Sequence, residues 1–295
     1  MKIAAIDIGS NAARFQIDHV LRENGRPFFK KVEYLRFPLR LGKDVFASGQ
    51  ISPERETMLT KFMHACQLLM ELHEVAAYEI CATSAVREAT NANQVKDRIR
   101  QQLGLDIQVI DGMEEAELIS RVVTQFIDER SYLHIDVGGG STELNLYHQR
   151  KKVASRSFEA GSIRRLQSSA DEAGWKPVQE WLREKLSLLP KPVTAIGTGG
   201  NIAKLYELAT HKQNLVVRRE EVRRVRHLVA GYSLEERMNI LKLNPDRADV
   251  IVPAADIYLQ IMEWAGAERI RVPDIGLIDG IMQRVYEKSS GLGFV

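Results

Sequence analysis

Cysteine is nearly absent from this chain of 295 residues: only Cys66 and Cys81 occur, in no metal-ligand spacing. That excludes a disulfide scaffold and a cysteine-built zinc site, and it suits a reducing cytoplasm. Net charge is almost absent too, because 41 Lys and Arg stand against 39 Asp and Glu for a balance of +2. A dedicated nucleic-acid coat is thereby excluded, and any anion binding has to come from local clusters. There is no low-complexity tract, no long apolar run and no basic leader before the first strand. Neither a signal peptide nor a membrane span is therefore expected, and the expected location is the cytoplasm. What is present, 44% hydrophobic and 27% charged residues, describes a globular chain long enough for two domains with a core each.

The chain is organised around Tyr132 to Leu146, where an apolar strand runs into Asp136, Gly138, Gly139, Gly140, Ser141, Thr142 and Glu143. Consecutive glycines let a backbone approach a ligand closely, and successive peptide N–H groups in such a turn converge on an anion. The hydroxyls of Ser141 and Thr142 would add donors. Asp136 and Glu143 place carboxylates beside this cradle, and carboxylate facing phosphate calls for a divalent cation. Taken alone, the same stretch also reads as a glycine-rich hairpin turn, with Asp136 capping its own backbone and Glu143 solvated. A second copy adds weight to the functional reading: the strand Ile3 to Ile8 ends in Asp7, Gly9, Ser10 and Asn11, and a β-type run through Phe15, Ile17 and Val20 follows. Two such hairpins about half a chain apart suggest two related halves facing one ligand.

Further elements follow in order. Asn24-Gly25 signals a turn to a strand around Phe28 to Tyr34. Phe37 to Gln50 reads as a loop. Ser52 and Pro53 open a helix whose stripe is Leu59, Phe62, Met63, Cys66, Leu69 and Met70. Val75 to Ala82 is a strand leading to Thr83, Ser84 and Arg87, and Ile107 to Ile110 is a strand before a helix from Met113. After two strands ending near Phe158 come a short helix with Arg164 and Arg165 and an amphipathic helix from Trp175. Val193 to Ile196 then delivers a third glycine turn, Gly197, Thr198, Gly199, Gly200 and Asn201, whose helix follows at once and points peptide donors at what the turn holds. Glu220 to Tyr232, Leu234 to Leu241, Pro253 to Ala265 and Gly276 to Tyr286 read as helices.

The Asp7-Gly9-Ser10-Asn11 turn, Thr83 to Arg87, Gly112-Met113-Glu114-Glu115-Ala116, Asp136 to Glu143 and Gly197 to Asn201 together resemble the exopolyphosphatase and guanosine pentaphosphate phosphohydrolase family. The match is collinear and covers nearly the whole chain. The resemblance implies an α/β protein of the actin, sugar-kinase and Hsp70 superfold. Two ribonuclease-H-like domains, 1–127 and 128–295, would surround an interdomain cleft, with the last helix packing back on the first. The chain reads as the short form, without the HD-type C-terminal extension. It departs from the family where Ile278 and Asp279, in place of a usual Arg-Glu pair, precede Gly280.

Residue by residue, the resemblance makes Glu115 the catalytic glutamate acting on the attacking water. Asp136 and Glu143 become the acidic pair at the metal, with Asp7 sharing that site, and Arg87 a phosphate-binding catalytic arginine. Ser10, Asn11, Arg14, Thr83, Ser84, Gly138, Gly139, Gly140, Ser141, Thr142, Gly197, Thr198, Gly199, Gly200 and Asn201 become phosphate contacts. The implied cofactor is Mg2+, with Mn2+ as the alternative. The implied substrates are inorganic polyphosphate or guanosine pentaphosphate, with no nucleic acid and no membrane, and a homodimer is allowed. A small-molecule kinase of the same superfold and a non-catalytic sensor compete with this reading, and Glu115 in its Gly-x-Glu-Glu-Ala context favours hydrolysis.

Two features can be read without the family. Leu118, Ile119, Val122, Val123 and Phe126 form one apolar stripe with Glu115 at its centre, while Glu114 and Glu117 project to the other side. A carboxylate in line with a buried face, in a helix's first turn, suits a base shielded from bulk water. The alternative is a glutamate capping its own helix at Asp111 or Gly112. Arg219, Arg223 and Arg226 share another helix face, either solvated and paired with Glu220 and Glu221 or lining a track for a long polyanion.

Overall fold

A computed structural model of the chain describes residues 1–23, 25–167, 172–209 and 214–291. Asn24 of the expected Asn24-Gly25 turn lies outside them. The chain divides into two compact bodies, Met1–Arg121 together with the chain from Leu277, and Val122–Gly276.

The first body begins with β1 (Lys2–Ile8), β2 (Ala13–Glu23) and β3 (Arg26–Phe37), an antiparallel meander. There follow α1 (Leu41–Ser48), α2 (Pro53–Leu72), β4 (Ala77–Ala82), α3 (Ser84–Glu88), α4 (Ala92–Leu103), β5 (Gln108–Val109) and α5 (Gly112–Val123). β4 joins β1 in parallel and β5 joins β4, giving the order β3-β2-β1-β4-β5. β1 is apolar nearly throughout because both its faces are covered. Ala4, Ile6 and Ile8 meet the α2 side with Leu59, Phe62, Met63 and Cys66. Ile3 and Ala5 pack among Leu118, Ile278, Ile281 and Met282. Ser52 caps α2 by accepting from Arg55 N at 3.3 Å, with Pro53 in the first turn.

Phe37 to Gln50, read as a loop, contains α1. Its N-cap is Arg40 in the left-handed region with no side-chain cap, and Gly42 sits in its first turn, so the usual start signals are missing. Its role is local: Arg40 N and Gly42 N each donate at 2.8 Å to the carbonyls of Asn11 and Ser10, fixing the first glycine turn.

The second body repeats the plan. β6 (Ser131–Val137), β7 (Thr142–His148) and β8 (Lys151–Phe158) form the meander. α6 (Ser162–Gln167), α7 (Glu172–Leu186), β9 (Val193–Thr198), α8 (Gly200–Ala209), β10 (Val216–Arg218), α9 (Arg219–Ala230), α10 (Leu234–Asn239), α11 (Pro245–Ala248), α12 (Ile251–Trp264) and β11 (Arg269–Arg271) complete it. The order is β10-β11-β9-β6-β7-β8, with β9 parallel to β6 and β11 parallel to β9. Apart from the edge strand β10, both sheets share one plan of three antiparallel strands followed by two parallel additions, the ribonuclease-H-like arrangement. The last helix, α13 (Leu277–Ser289), packs on β1 and β4 of the first body. Among the described residues, no helix is long and apolar enough to cross a membrane.

Candidate active site

In the first body β1, β4 and β5 are parallel, so the turns after them open at one sheet edge. Ligands of α/β sheets bind at such carboxyl-end edges. Ser10 Oγ and Ser84 Oγ lie there 2.8 Å apart. Thr83 closes the strand end, with its N donating to Ile8 O at 3.1 Å and its carbonyl accepting from Arg87 N at 3.0 Å. Arg87 Nη1 donates to Ile110 O at 2.8 Å, which ties α3 to the segment leading into α5. Asp7 is buried and opposes Arg14 across the hairpin, where Arg14 Nη1 reaches Asp7 Oδ2 at 2.7 Å. Asp7 Oδ1 is buried without a hydrogen-bond partner among the described residues. Burial holds this carboxyl above its ordinary range, opposed by the charge of Arg14.

Glu115 is half-buried in the first turn of α5. The cap of that helix is made by Asp111, whose Oδ1 accepts from Met113 N and Glu114 N at 2.8 Å each. Leu118, Ile119, Val122 and Val123 are buried, as the stripe required. Glu114, projecting away from that stripe, is ion-paired at 2.5 Å with the buried Arg284.

In the second body, Asp136 on β6 stands directly opposite Glu143 on β7 and beside Thr198 on β9. Glu143, one of whose readings was a solvated strand residue, is 1% exposed and accepts from Ser157 Oγ at 2.7 Å. The turn between Asp136 and Glu143 is anchored from outside. Gly138 O accepts from Ser162 N at 3.0 Å, Gly139 O from Ile163 N at 2.9 Å, and Gly140 O from Arg164 Nε at 2.7 Å. Gly161 has to be glycine, since a Cβ there would lie 2.3 Å from Gly139 O.

This anchoring trims the expected donor set. Gly138 N closes the turn on Ser141 O at 2.9 Å, and the Thr142 hydroxyl donates to Ala160 O. Thr198 is 1% exposed and its hydroxyl meets His134 Nε2 at 2.8 Å. Asn145 Nδ2 lies 3.0 Å from His134 Nδ1, and Ser155 Oγ lies 2.6 Å from Asn145 Oδ1. His134 is fully buried, and burial pushes its imidazole down to about 3, so it is neutral. The third glycine turn passes over the first acid. Gly199, at φ +101, would with a Cβ come 3.1 Å from Asp136 Oδ1, and Gly200 and Asn201 open α8.

Sequence reasoning missed what holds the two turns of this body together. Tyr258 Oη donates to Thr198 O at 2.5 Å and accepts from Val137 N at 3.2 Å. Burial first, then the charge of Asp136, pushes this phenol well above its ordinary range, so it remains a donor. A single phenol in the apolar run Ile257-Tyr258-Leu259 was the available signal, because a buried Tyr hydroxyl needs a partner. Arg247 was missed as well, and a Cβ on Gly200 would lie 2.9 Å from its Nη2.

The arginine face resolves into ion pairs. Arg219 pairs with Glu268 at 2.7 Å, Arg223 with Glu220 at 2.6 Å, and Arg226 with Asp256 at 2.7 Å. The Arg226 pair binds α9 to α12, so this face carries the ion pairs of the paired alternative.

Among the described residues, no group of three or more His, Cys, Asp or Glu side chains is placed to hold a metal ion. Asp136 and Glu143 still fit one. Two carboxylates set directly across a strand pair repel each other unless a cation or proton intervenes. Mg2+ is commonly bound through one or two carboxylates, with waters and substrate phosphates completing its shell.

The chain is similar to known proteins over nearly its whole length. The chain is 26% identical to exopolyphosphatase 2 of Mycobacterium tuberculosis, with 95% of the chain and 97% of the relative aligned. It is 26% identical to exopolyphosphatase 1 of Mycobacterium leprae, covering 98% of the chain and 91% of the relative. The crystal structure of an exopolyphosphatase from Cytophaga hutchinsonii superposes with a TM-score of 0.86 at 24% identity, over 99% of this chain and 98% of that one, which shows a common fold. A model of the Ppx/GppA phosphatase family matches residues 20–289, and the chain, a hydrolase, belongs to that family.

Proposed function

We propose that the protein removes terminal phosphate from inorganic polyphosphate, with Glu115 activating the attacking water. The observation that carries the reading is the place of Glu115, half-buried in the first turn of α5 and followed by the buried Leu118, Ile119, Val122 and Val123. Asp111 caps that helix at Met113 N and Glu114 N. A carboxylate kept from bulk water at a positive helix end is equipped to hold a water and accept its proton. Phosphoanhydride transfer needs little more than an oriented water, charge neutralisation and donors around the equatorial oxygens. Ser10, Ser84 and Arg87 would be the donors of the first body, and the turn amides beyond Gly138 and the start of α8 those of the second. Asp136 and Glu143 would hold Mg2+, which when bound supplies the positive charge that offsets the developing phosphate charge. In the first body, Asp7 Oδ1 has no hydrogen-bond partner among the described residues. Tyr258 orders both turns of its body by bridging Val137 and Thr198.

Polyphosphate is preferred over guanosine pentaphosphate because the mycobacterial relatives carry the name exopolyphosphatase. The arginine face no longer argues for it. The test is phosphate release from long-chain polyphosphate and guanosine pentaphosphate, measured in parallel with and without Mg2+. The expected result is Mg2+-dependent release with a higher kcat/KM on polyphosphate. A higher kcat/KM on guanosine pentaphosphate would move the substrate assignment. ATP-dependent acceptor phosphorylation without phosphate release would overturn the reaction class.

A further inference from the structure

The structure assigns the C-terminal helix a part in the chemistry: Arg284 of α13 is a positioning residue for Glu115, acting through Glu114. The inference rests on the reading of Glu115 as the base. Arg284 is 6% exposed, and a guanidinium at that depth is tolerated only when its donors are matched. They are matched by two elements at once. On β4, Nη2 meets Glu79 Oε1 at 2.5 Å, Nε donates to Glu79 Oε2 at 3.1 Å, and Nη2 reaches Cys81 Sγ at 3.0 Å. On α5, Nη1 holds Glu114 Oε1 at 2.5 Å across 170 residues of sequence. The fork therefore spans sheet and helix, and its α5 end is the residue next to Glu115.

Two more contacts make this a clamp along α5. A Cβ on Gly280 would lie 2.2 Å from Leu118 O, so α13 and α5 meet there backbone to backbone. One further turn along, Arg121 pairs with Glu287 at 2.5 Å. Glu114, Leu118 and Arg121 fall on successive turns of α5, and all three are engaged by α13. The first turn of α5 carries the base and has only the short β5 before it, so its position is set from the far end of the sequence. Arginine suits the task because a planar fork fixes direction as well as distance, which an ammonium does not. A displacement of about 1 Å in a reacting group costs on the order of 100-fold in rate.

The experiment compares Arg284→Met, Arg284→Lys, Glu114→Gln and the Arg284→Met/Glu114→Gln double variant in the full chain, with kcat and KM normalised to the folded fraction at 20 °C. Arg284→Met is expected to lower kcat roughly 10- to 100-fold with KM within about twofold. Arg284→Lys, which keeps the charge and the fold, should fall between. If the two residues act as one unit, the double variant should be no slower than Arg284→Met. Folded Arg284→Lys and Arg284→Met with wild-type kcat would overturn the inference, as would a rise in KM at unchanged kcat or fully additive losses. Glu115→Gln, run alongside, separates the two claims. Wild-type turnover in that variant removes the base assignment itself, whereas an inactive Glu115→Gln beside normal Arg284 variants removes only the clamp.

Discussion

His134 should make the second body acid-labile by a calculable amount. Its imidazole is fully buried between Asn145 and Thr198, and its pKa is pushed from 6.5 down to about 3 by that burial. The unfolded chain therefore takes up a proton below pH 6.5 that the folded chain refuses until about pH 3. Stability from this residue is complete above 6.5 and declines as pH falls, at about 1.4 kcal/mol per pH unit. Over the 1.5 units from 6.5 to pH 5 the loss is about 2 kcal/mol. His134→Gln keeps hydrogen-bonding capacity and removes the titration, so its absolute stability matters less than its slope. All three tryptophans, Trp175, Trp181 and Trp264, lie in this body, so urea unfolding followed by their fluorescence reports on it. The wild type should lose about 2 kcal/mol more than His134→Gln between pH 7 and pH 5. Parallel pH profiles for the two proteins would refute the reasoning.

Gly161→Ala places a Cβ 2.3 Å from Gly139 O, and should cost roughly 1–3 kcal/mol while lowering phosphate release through the displaced turn; thermal unfolding and activity together check it. Tyr258→Phe strips the bridge between Val137 N and Thr198 O and leaves a buried amide unmatched, for a loss of about 1–3 kcal/mol in urea unfolding. Replacing Arg219, Arg223 and Arg226 together with Ala removes partly exposed ion pairs worth about 0.2–1 kcal/mol each. It should change KM for long and short polyphosphate by equal factors; a rise confined to the long chain would restore the polyanion track.

Legibility in the sequence followed the range of the physics involved. The two hairpins and three glycine turns were readable because a strand, an acid and a glycine turn are local patterns, and the doubled hairpin pointed to two related halves. α1 was unreadable because it starts from a left-handed Arg40 with Gly42 in its first turn and is held by the turn at Ser10 and Asn11. Helical spacing alone could put Arg219, Arg223 and Arg226 on one face, but the partners Asp256 and Glu268 lie beyond that helix. The partner of Glu114 was unreadable for the same reason, standing 170 residues away. Tyr258 and His134 sat inside apolar elements where periodicity reports burial and says nothing of the hydrogen bonds that burial demands.

Glu115 is proposed to handle the proton of the attacking water. The most direct measurement is single-turnover phosphate release by Glu115→Gln and Glu114→Gln, with substrate affinity measured separately. Glu115→Gln should lose on the order of 100- to 10,000-fold in turnover at nearly unchanged affinity, and Glu114→Gln should lose much less. Near-normal turnover in Glu115→Gln, or a deeper loss in Glu114→Gln, would contradict the account.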